Sequence, residues 1–158
     1  MAQLVRGEQA RWHRKIATEL FNRVWTLLLK KKRSPDEVDE MINAAHASRY
    51  HWSKVGKPKH FAIGEWQISR VYAVLRRPEP ALWHAKRALE ICRKHSVGDF
   101  PLAFAHEALA RAYAVAGRAN DMKKHVRLAR EAALAIKEPE DRELLLRDLA
   151  SISRRRSR

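Results

Sequence analysis

The eight histidines are the side chains of this sequence best suited to bind a metal or to carry protons. Two histidines on one helix face ligate a metal together when they are three or four residues apart. No two histidines of the chain have that spacing, and the nearest pair, His46 and His51, is five apart. Asp121 and His125 are four apart, but the sequence identifies no further ligand beside them. We therefore predict packed or surface histidines and no metal.

An arginine precedes a histidine by seven positions at Arg6 and His13 and at Arg118 and His125. This spacing resembles the active motif of the HEPN ribonucleases, which are also all-helical and basic. The resemblance implies RNA cleavage that depends on His13 or His125. Gly7 and Ala119 stand where that family usually has a polar residue after the arginine, so ribonuclease activity is kept as the remote alternative.

Other catalytic machinery is absent from the sequence. It contains no glycine-rich phosphate loop, no serine nucleophile elbow and no His-Glu-x-x-His motif. The single cysteine, Cys92, excludes an intramolecular disulfide and by itself makes no cysteine zinc site. We therefore expect a binding protein rather than an enzyme, without a cofactor.

One segment mixes aromatic rings with cations in the pattern that suits a nucleic acid. Aromatic side chains stack on bases while lysine and arginine contact phosphates. The alternative is that the rings fill the gap between two helical hairpins while the lysines are solvated. The candidate binding residues of this segment are Arg49, Tyr50, His51, Trp52, Lys54, Lys57 and Lys59.

The formal net charge of +15 favours polyanionic partners, either nucleic acids or acidic proteins. Residues 1–33 contain nine Lys and Arg against two carboxylates, and the chain ends in Arg154, Arg155, Arg156, Ser157 and Arg158. A nucleic acid would then meet the first helix, the segment around Trp52 and the C-terminal arginines. The alternative is that the surplus charge only maintains solubility.

Apolar residues recur at spacings of three and four throughout, which predicts helices and no strands. Ser34, Pro35 and Glu37 form a capping-box pattern, and Gly56 and Gly98 follow helical stretches where a positive φ is wanted. We expect one all-α domain over 1–153 and a disordered basic tail over 154–158. The predicted helices span about 4–31, 35–52, 60–76, 79–95, 100–116, 119–136 and 139–153.

The chain repeats itself after forty-one residues: the segment from Arg70 to Val74 recurs from Arg111 to Val115, and His84 recurs as His125. Such a period indicates stacked helical hairpins. The residues resemble tetratricopeptide repeats over 60–136, and more weakly over 4–52, through Ile68-Ser69-x-x-Tyr72 with Ala81, Ala85 and Ala88, and Leu109-Ala110-x-x-Tyr113 with Gly117. The resemblance implies a right-handed array of antiparallel helical hairpins.

In that family the first helices of successive repeats line a concave groove that binds peptides. The resemblance therefore places Trp66, Arg70, Glu107 and Arg111 on the concave face. Two arginines at equivalent repeat positions suit a carboxylate, so the first functional hypothesis is recognition of an acidic or extended peptide or protein partner. The alternative at these positions is an internal pair between Arg70 and Glu107.

The first helix is apolar over more than one stripe, with Trp12, Ile16, Leu20, Val24 and Leu27 on one side and Phe21, Trp25, Leu28 and Leu29 around it. Monomeric proteins rarely expose an apolar surface of this width, so we expect another part of the chain or a second copy to cover it. A symmetric homodimer is slightly favoured, and folding of the helix onto its own domain is the alternative. With no secretory signal and no membrane-length apolar run, we expect a cytoplasmic protein without a membrane partner.

Overall fold

Seven helices follow one another in the computed structural model, which describes residues 2–154. No strand occurs within that range, so the predicted all-α class and helix number are confirmed. Of the predicted basic tail, Arg154 is the last residue of the final helix, and 155–158 lie outside the described residues. The helices are α1 (Ala2–Leu28), α2 (Pro35–Val55), α3 (Pro58–Val74), α4 (Pro78–Lys94), α5 (Asp99–Val115), α6 (Ala119–Ala133) and α7 (Pro139–Arg154).

Proline marks the start of four of these helices, α2, α3, α4 and α7. Proline is well tolerated there because the first amide of a helix has no acceptor within the helix. The predicted capping box at α2 is present: the Ser34 hydroxyl accepts from the Glu37 amide at 3.2 Å, and the Glu37 carboxylate accepts from the Ser34 amide at 3.0 Å. Local sequence therefore defines this boundary.

Helix ends differ more from prediction than helix starts. Gly56 and Gly98 have φ of −85° and −99°, so neither adopts the expected positive φ. Gly56 is instead required for space, since a Cβ there would lie 2.7 Å from the Trp52 carbonyl oxygen. The helix α1 ends at Leu28, earlier than predicted. There the Arg33 guanidinium donates to the carbonyl oxygens of Leu27 and Lys30, both at 2.8 Å, and so caps the helix end.

The helices pack as successive antiparallel hairpins, α1 with α2, α3 with α4 and α5 with α6. The first helices of the hairpins also form a layer of their own, in which α3 contacts both α1 and α5. The last helix, α7, packs mainly on α5 and extends this inner layer. Four helices, α1, α3, α5 and α7, therefore determine the inner face of the array.

Small residues allow the hairpins to pack closely. Ala81, Ala85 and Ala88 of α4 are completely buried, and Leu145 and Leu149 of α7 join the same interior. Alanines at these spacings share one helix face, which lets neighbouring helices approach each other. Among the described helices, none carries an apolar stretch long enough to cross a membrane.

Candidate functional site

The four predicted groove residues lie together on the inner layer, around one buried carboxylate. Glu107 of α5 is fully buried and accepts hydrogen bonds from Trp66 Nε1 at 3.2 Å, Arg70 Nη1 at 3.2 Å and Arg111 Nε at 2.7 Å. Asp148 of α7 lies 3.4 Å from the same Arg70 nitrogen. We call these five residues the inner ion cluster. It joins α3, α5 and α7 through charged hydrogen bonds.

The pKa values of the two carboxylates of the inner ion cluster are shifted in opposite directions. Burial by itself raises the pKa of Glu107, but the adjacent Arg111 and Arg70 guanidinium groups bring that pKa below its ordinary value of 4.5. Burial raises the pKa of Asp148 above 3.8, because it outweighs the attraction of Arg70. Glu107 is thus the anion shared by the buried Arg111 and the partly buried Arg70.

The side chains of the inner ion cluster are buried or partly buried between the helices. Arg111 is 8% exposed, and it also donates to the Asp148 carbonyl oxygen and to Ser151 Oγ, both at 2.9 Å. Arg70 pairs with Glu107, which is the alternative weighed from the sequence. The guanidinium groups therefore already have acceptors within the chain.

A second group of functional residues gathers where the first half of α1 meets the end of α2. Because the two helices are antiparallel, His13 lies opposite His51, with 2.8 Å between their Nδ1 atoms. The Trp12 ring packs edge-on against both imidazoles at 5.0 and 5.2 Å between ring centroids. The predicted aromatic segment thus continues onto α1.

Aromatic rings and cations alternate across this surface. Trp52 stacks on His60 at 4.4 Å with 6° between the planes, and the Arg14 guanidinium lies 6.0 Å from the centre of the Trp52 ring. The Lys54 ammonium lies 4.8 Å from the centre of the Tyr50 ring. We name this surface the basic-aromatic end, which comprises Arg6, Arg11, Trp12, His13, Arg14, Tyr50, His51, Trp52, Lys54, Lys57, Lys59 and His60.

Among the residues that the structure describes, no carboxylate pairs with the cations of the basic-aromatic end. Within residues 2–154, no ion pair involves Arg6, Arg11, Arg14, Lys54, Lys57 or Lys59, and all six side chains are exposed. Two of the aromatic side chains are open as well, Trp12 at 54% and Tyr50 at 57%. Both the charges and the rings are therefore available to a ligand.

Arg49 is the exception among the residues predicted for this segment. Its Nε donates to Glu65 at 3.1 Å, and its guanidinium lies over the Phe61 ring at 4.7 Å. Gly64 makes room for it, because a Cβ at that position would lie 2.6 Å from Arg49 Cδ. Arg49 therefore anchors α2 to α3 and does not belong to the exposed set.

Two histidines of the basic-aromatic end, His51 and His60, have pKa values below the ordinary value. Burial and the neighbouring His13 lower the pKa of His51. Burial, followed by Lys59 and Arg14, lowers the pKa of His60. Neutral imidazole presents a flat ring and one acceptor nitrogen, so these rings stack and hydrogen-bond without adding to the repulsion among the cations.

The forty-one-residue repeat brings two further histidine clusters to equivalent places. Tyr72 stacks on His84 with 5.9 Å between centroids, and Tyr113 stacks on His125 with 5.5 Å. In the first cluster His84 Nδ1 donates to Glu65 at 2.6 Å, whereas in the second His125 faces His106 with 3.2 Å between Nδ1 atoms. Hence His13 and His125, the two candidates of the ribonuclease hypothesis, each pair with another histidine.

Sequence reasoning left Trp12, His13 and Arg14 out of the basic-aromatic segment. The hairpin geometry could have predicted them, because His13 and His51 are almost equally far from the turn between α1 and α2.

In the described part of the chain no three His, Cys, Asp or Glu side chains are grouped to hold a metal ion. Arg155, Arg156 and Arg158 lie outside the described residues.

Comparison with known proteins gives no relative for this chain. No protein-family model, no curated protein and no solved structure matches it. Function must therefore be argued from the two sites themselves.

Proposed function

We propose that this protein binds single-stranded nucleic acid, RNA in particular, through its basic-aromatic end. The observation that carries the proposal is the coincidence of unpaired cations with exposed aromatic rings on one surface. Of the functions considered from the sequence, this is the alternative to peptide recognition on the inner face.

The two kinds of side chain serve the two parts of a nucleotide. Arg14, Lys54 and Lys57 are exposed and have no ion pair among the described residues, so phosphates meet no competing carboxylate. Trp12 and Tyr50 are large enough to stack on bases, which are accessible in a single strand and hidden in a duplex. This combination favours single strands and is tolerant of sequence.

Peptide recognition by the inner arginines has less support. An acidic peptide would have to displace Glu107 from Arg70 and Arg111, and Glu107 is fully buried. Removing one partner of a buried ion pair is unfavourable by several kcal/mol, about 3–5 in measured cases. Exposed cations without partners require no such exchange, so the basic-aromatic end is the better candidate for binding an anion.

The test is the affinity of the purified chain for labelled oligouridine and oligodeoxythymidine as salt is raised. Lys54, Lys57 and Lys59 are replaced together by Ala, and the matched control replaces Lys86, Lys123 and Lys124, three exposed lysines of α4 and α6. Both variants lose the same charge. We expect only the first to weaken binding, and its log–log salt slope should fall by about 2, since each phosphate contact to a single strand contributes about 0.7.

Three results would overturn the proposal. These are no binding to either oligonucleotide at low salt, an affinity that does not change with salt, or equal losses in the two triple variants. Equal losses would mean that the total positive charge, rather than this surface, attracts the nucleic acid.

A further inference from the structure

A cleft of about 310 Å³ opens on the inner face between α1, α3, α5 and α7, and it shares Trp66 with the inner ion cluster. Trp25 of α1 and Leu144 of α7 form opposite walls, and Trp66 and Phe104 lie between them. The volume falls at the lower end of the range typical of small-molecule sites, about 300–1,000 Å³. Side chains of four helices line the cleft, and its volume suits a compact molecule better than an extended peptide.

The aromatic lining is held in place by the fold. Trp66 packs against Trp25 at 5.4 Å and edge-on against Phe104 at 4.9 Å between centroids. Its indole nitrogen donates to Glu107, so the orientation of the ring is set by the inner ion cluster. A ligand would therefore enter a formed apolar site and would not have to order it first.

Asp141 is the one charged residue among those described as lining the cleft. It lies in the first turn of α7, where a carboxylate also interacts favourably with the helix dipole. It takes part in no ion pair within residues 2–154, although the chain carries a net charge of +15. An apolar cleft with a single carboxylate at its lining is complementary to an apolar molecule that carries one positive charge.

We infer that this cleft binds a small organic cation, an ammonium group on an aromatic or branched aliphatic body. The ammonium pairs with the Asp141 carboxylate, and the body packs on Trp25, Trp66 and Phe104, whose ring faces also attract a cation. The inference is independent of nucleic-acid binding, because the cleft and the basic-aromatic end share no residue.

Calorimetric titration of the whole chain with three probes of one shape tests the inference. The probes are 2-phenylethylammonium, the neutral 2-phenylethanol and the anionic phenylacetate. We expect the ammonium to bind about fivefold more tightly than the alcohol, as one partly exposed ion pair allows, and phenylacetate to bind most weakly. Asp141→Asn should remove the difference between ammonium and alcohol while the alcohol affinity stays the same.

A matched pair of leucines controls for position. Leu144 lines the cleft and Leu146 does not, and the two are 40% and 42% exposed on the same helix. Leu144→Trp should fill the cleft and abolish binding of all probes, whereas Leu146→Trp should bind like the original protein. The inference is overturned by no saturable binding of the ammonium, by equal affinities for the three probes, or by unchanged binding in Leu144→Trp.

Discussion

Arginine occurs in two opposite settings in this protein, at the inner ion cluster and at the basic-aromatic end. Arg111 is buried and Arg70 is partly buried, and both donate hydrogen bonds to Glu107 and to α7. Arg11 and Arg14 of α1 are exposed, and no carboxylate pairs with them in the part of the chain that the structure describes. The residue type is the same, and the surroundings decide whether it holds the fold or is open to a ligand.

The comparison shows that a net charge of +15 does not by itself locate a binding surface. A buried guanidinium needs a partner, because an unpaired charge in the interior is strongly unfavourable. An exposed guanidinium is stabilised by water and needs none. The pairing of each cation is therefore more informative than the number of cations.

The largest effect should come from breaking the inner ion cluster. We expect Glu107→Gln to lower the free energy of unfolding by about 3–5 kcal/mol, because the buried Arg111 and the partly buried Arg70 lose their shared anion while the shape is kept. Urea unfolding followed by circular dichroism measures this. Glu90→Gln, on the exposed face of α4, is the matched control and should leave the midpoint unchanged. A similar midpoint for both variants would show that Glu107 does not hold the two arginines.

A smaller effect should come from acid, through the inner histidine pair. Burial, with help from His125 and Arg93, lowers the pKa of His106 to about 4 from 6.5. As the pH falls from 6.5 towards 4, His106 becomes protonated in the unfolded chain but stays neutral in the folded protein. The free energy of unfolding therefore decreases. The drop in urea midpoint between pH 7 and about pH 4.5 should be reduced in His106→Gln.

The pair of His13 and His51, which is only partly buried, provides the comparison for this pH experiment. His51 is shifted in the same direction but lies on the surface with His13. His51→Gln should therefore change the acid sensitivity less than His106→Gln does. If the two variants behave alike, the difference between inner and outer histidines does not govern acid stability.

The next largest effect should come from removing one exposed aromatic ring of the basic-aromatic end. This prediction depends on the proposed RNA binding. Trp12→Ala should weaken binding to oligouridine by about 1–3 kcal/mol, the range for stacking of one base, with no change in the urea midpoint. Trp83→Ala, at an exposed tryptophan of α4, should leave the affinity unchanged. An equal loss from both would mean that tryptophan is not part of a specific surface.

Local patterns in the sequence account for the helices but not for the contacts between them. The capping box at Ser34 depends on residues three positions apart, so it was predictable. The repeat of forty-one residues likewise relates the stack of Tyr72 on His84 to that of Tyr113 on His125. Arg33 at the end of α1 escaped prediction, because only the folded turn brings its guanidinium to the carbonyl oxygens of the last turn.

The sequence predicted which residues gather at the candidate sites, but not which of their side chains are exposed to solvent. The sequence placed Arg70 and Glu107 on one face, yet whether they face solvent depends on α7, whose Asp148 lies forty-one residues further on. Likewise, Arg49 and Lys54 look equivalent in a basic segment, but Glu65 of the next helix removes Arg49 from the surface. Side-chain pairing across helices depends on packing angles and rotamers, which a single sequence does not define.

The smallest effect on stability should come from breaking a surface ion pair that has good geometry. This pair is the control for the inner ion cluster, because the two differ in burial. Arg23 Nε and Nη2 donate to the two carboxylate oxygens of Glu40 at 2.6 and 2.8 Å, and the two side chains are each 44% exposed. Glu40, through this hydrogen bond, raises the pKa of Arg23. Good geometry alone, however, contributes little to stability where water solvates both partners once the pair is broken.

We therefore expect Arg23→Gln to shift the urea midpoint by no more than the error of measurement, and added salt to remove any shift that is observed. A double-mutant cycle of Arg23→Gln with Glu40→Gln should give a coupling energy far below that of Arg111→Gln with Glu107→Gln. Equal couplings would contradict the view that burial, rather than bond geometry, separates the arginines that hold this fold from those that are free to bind.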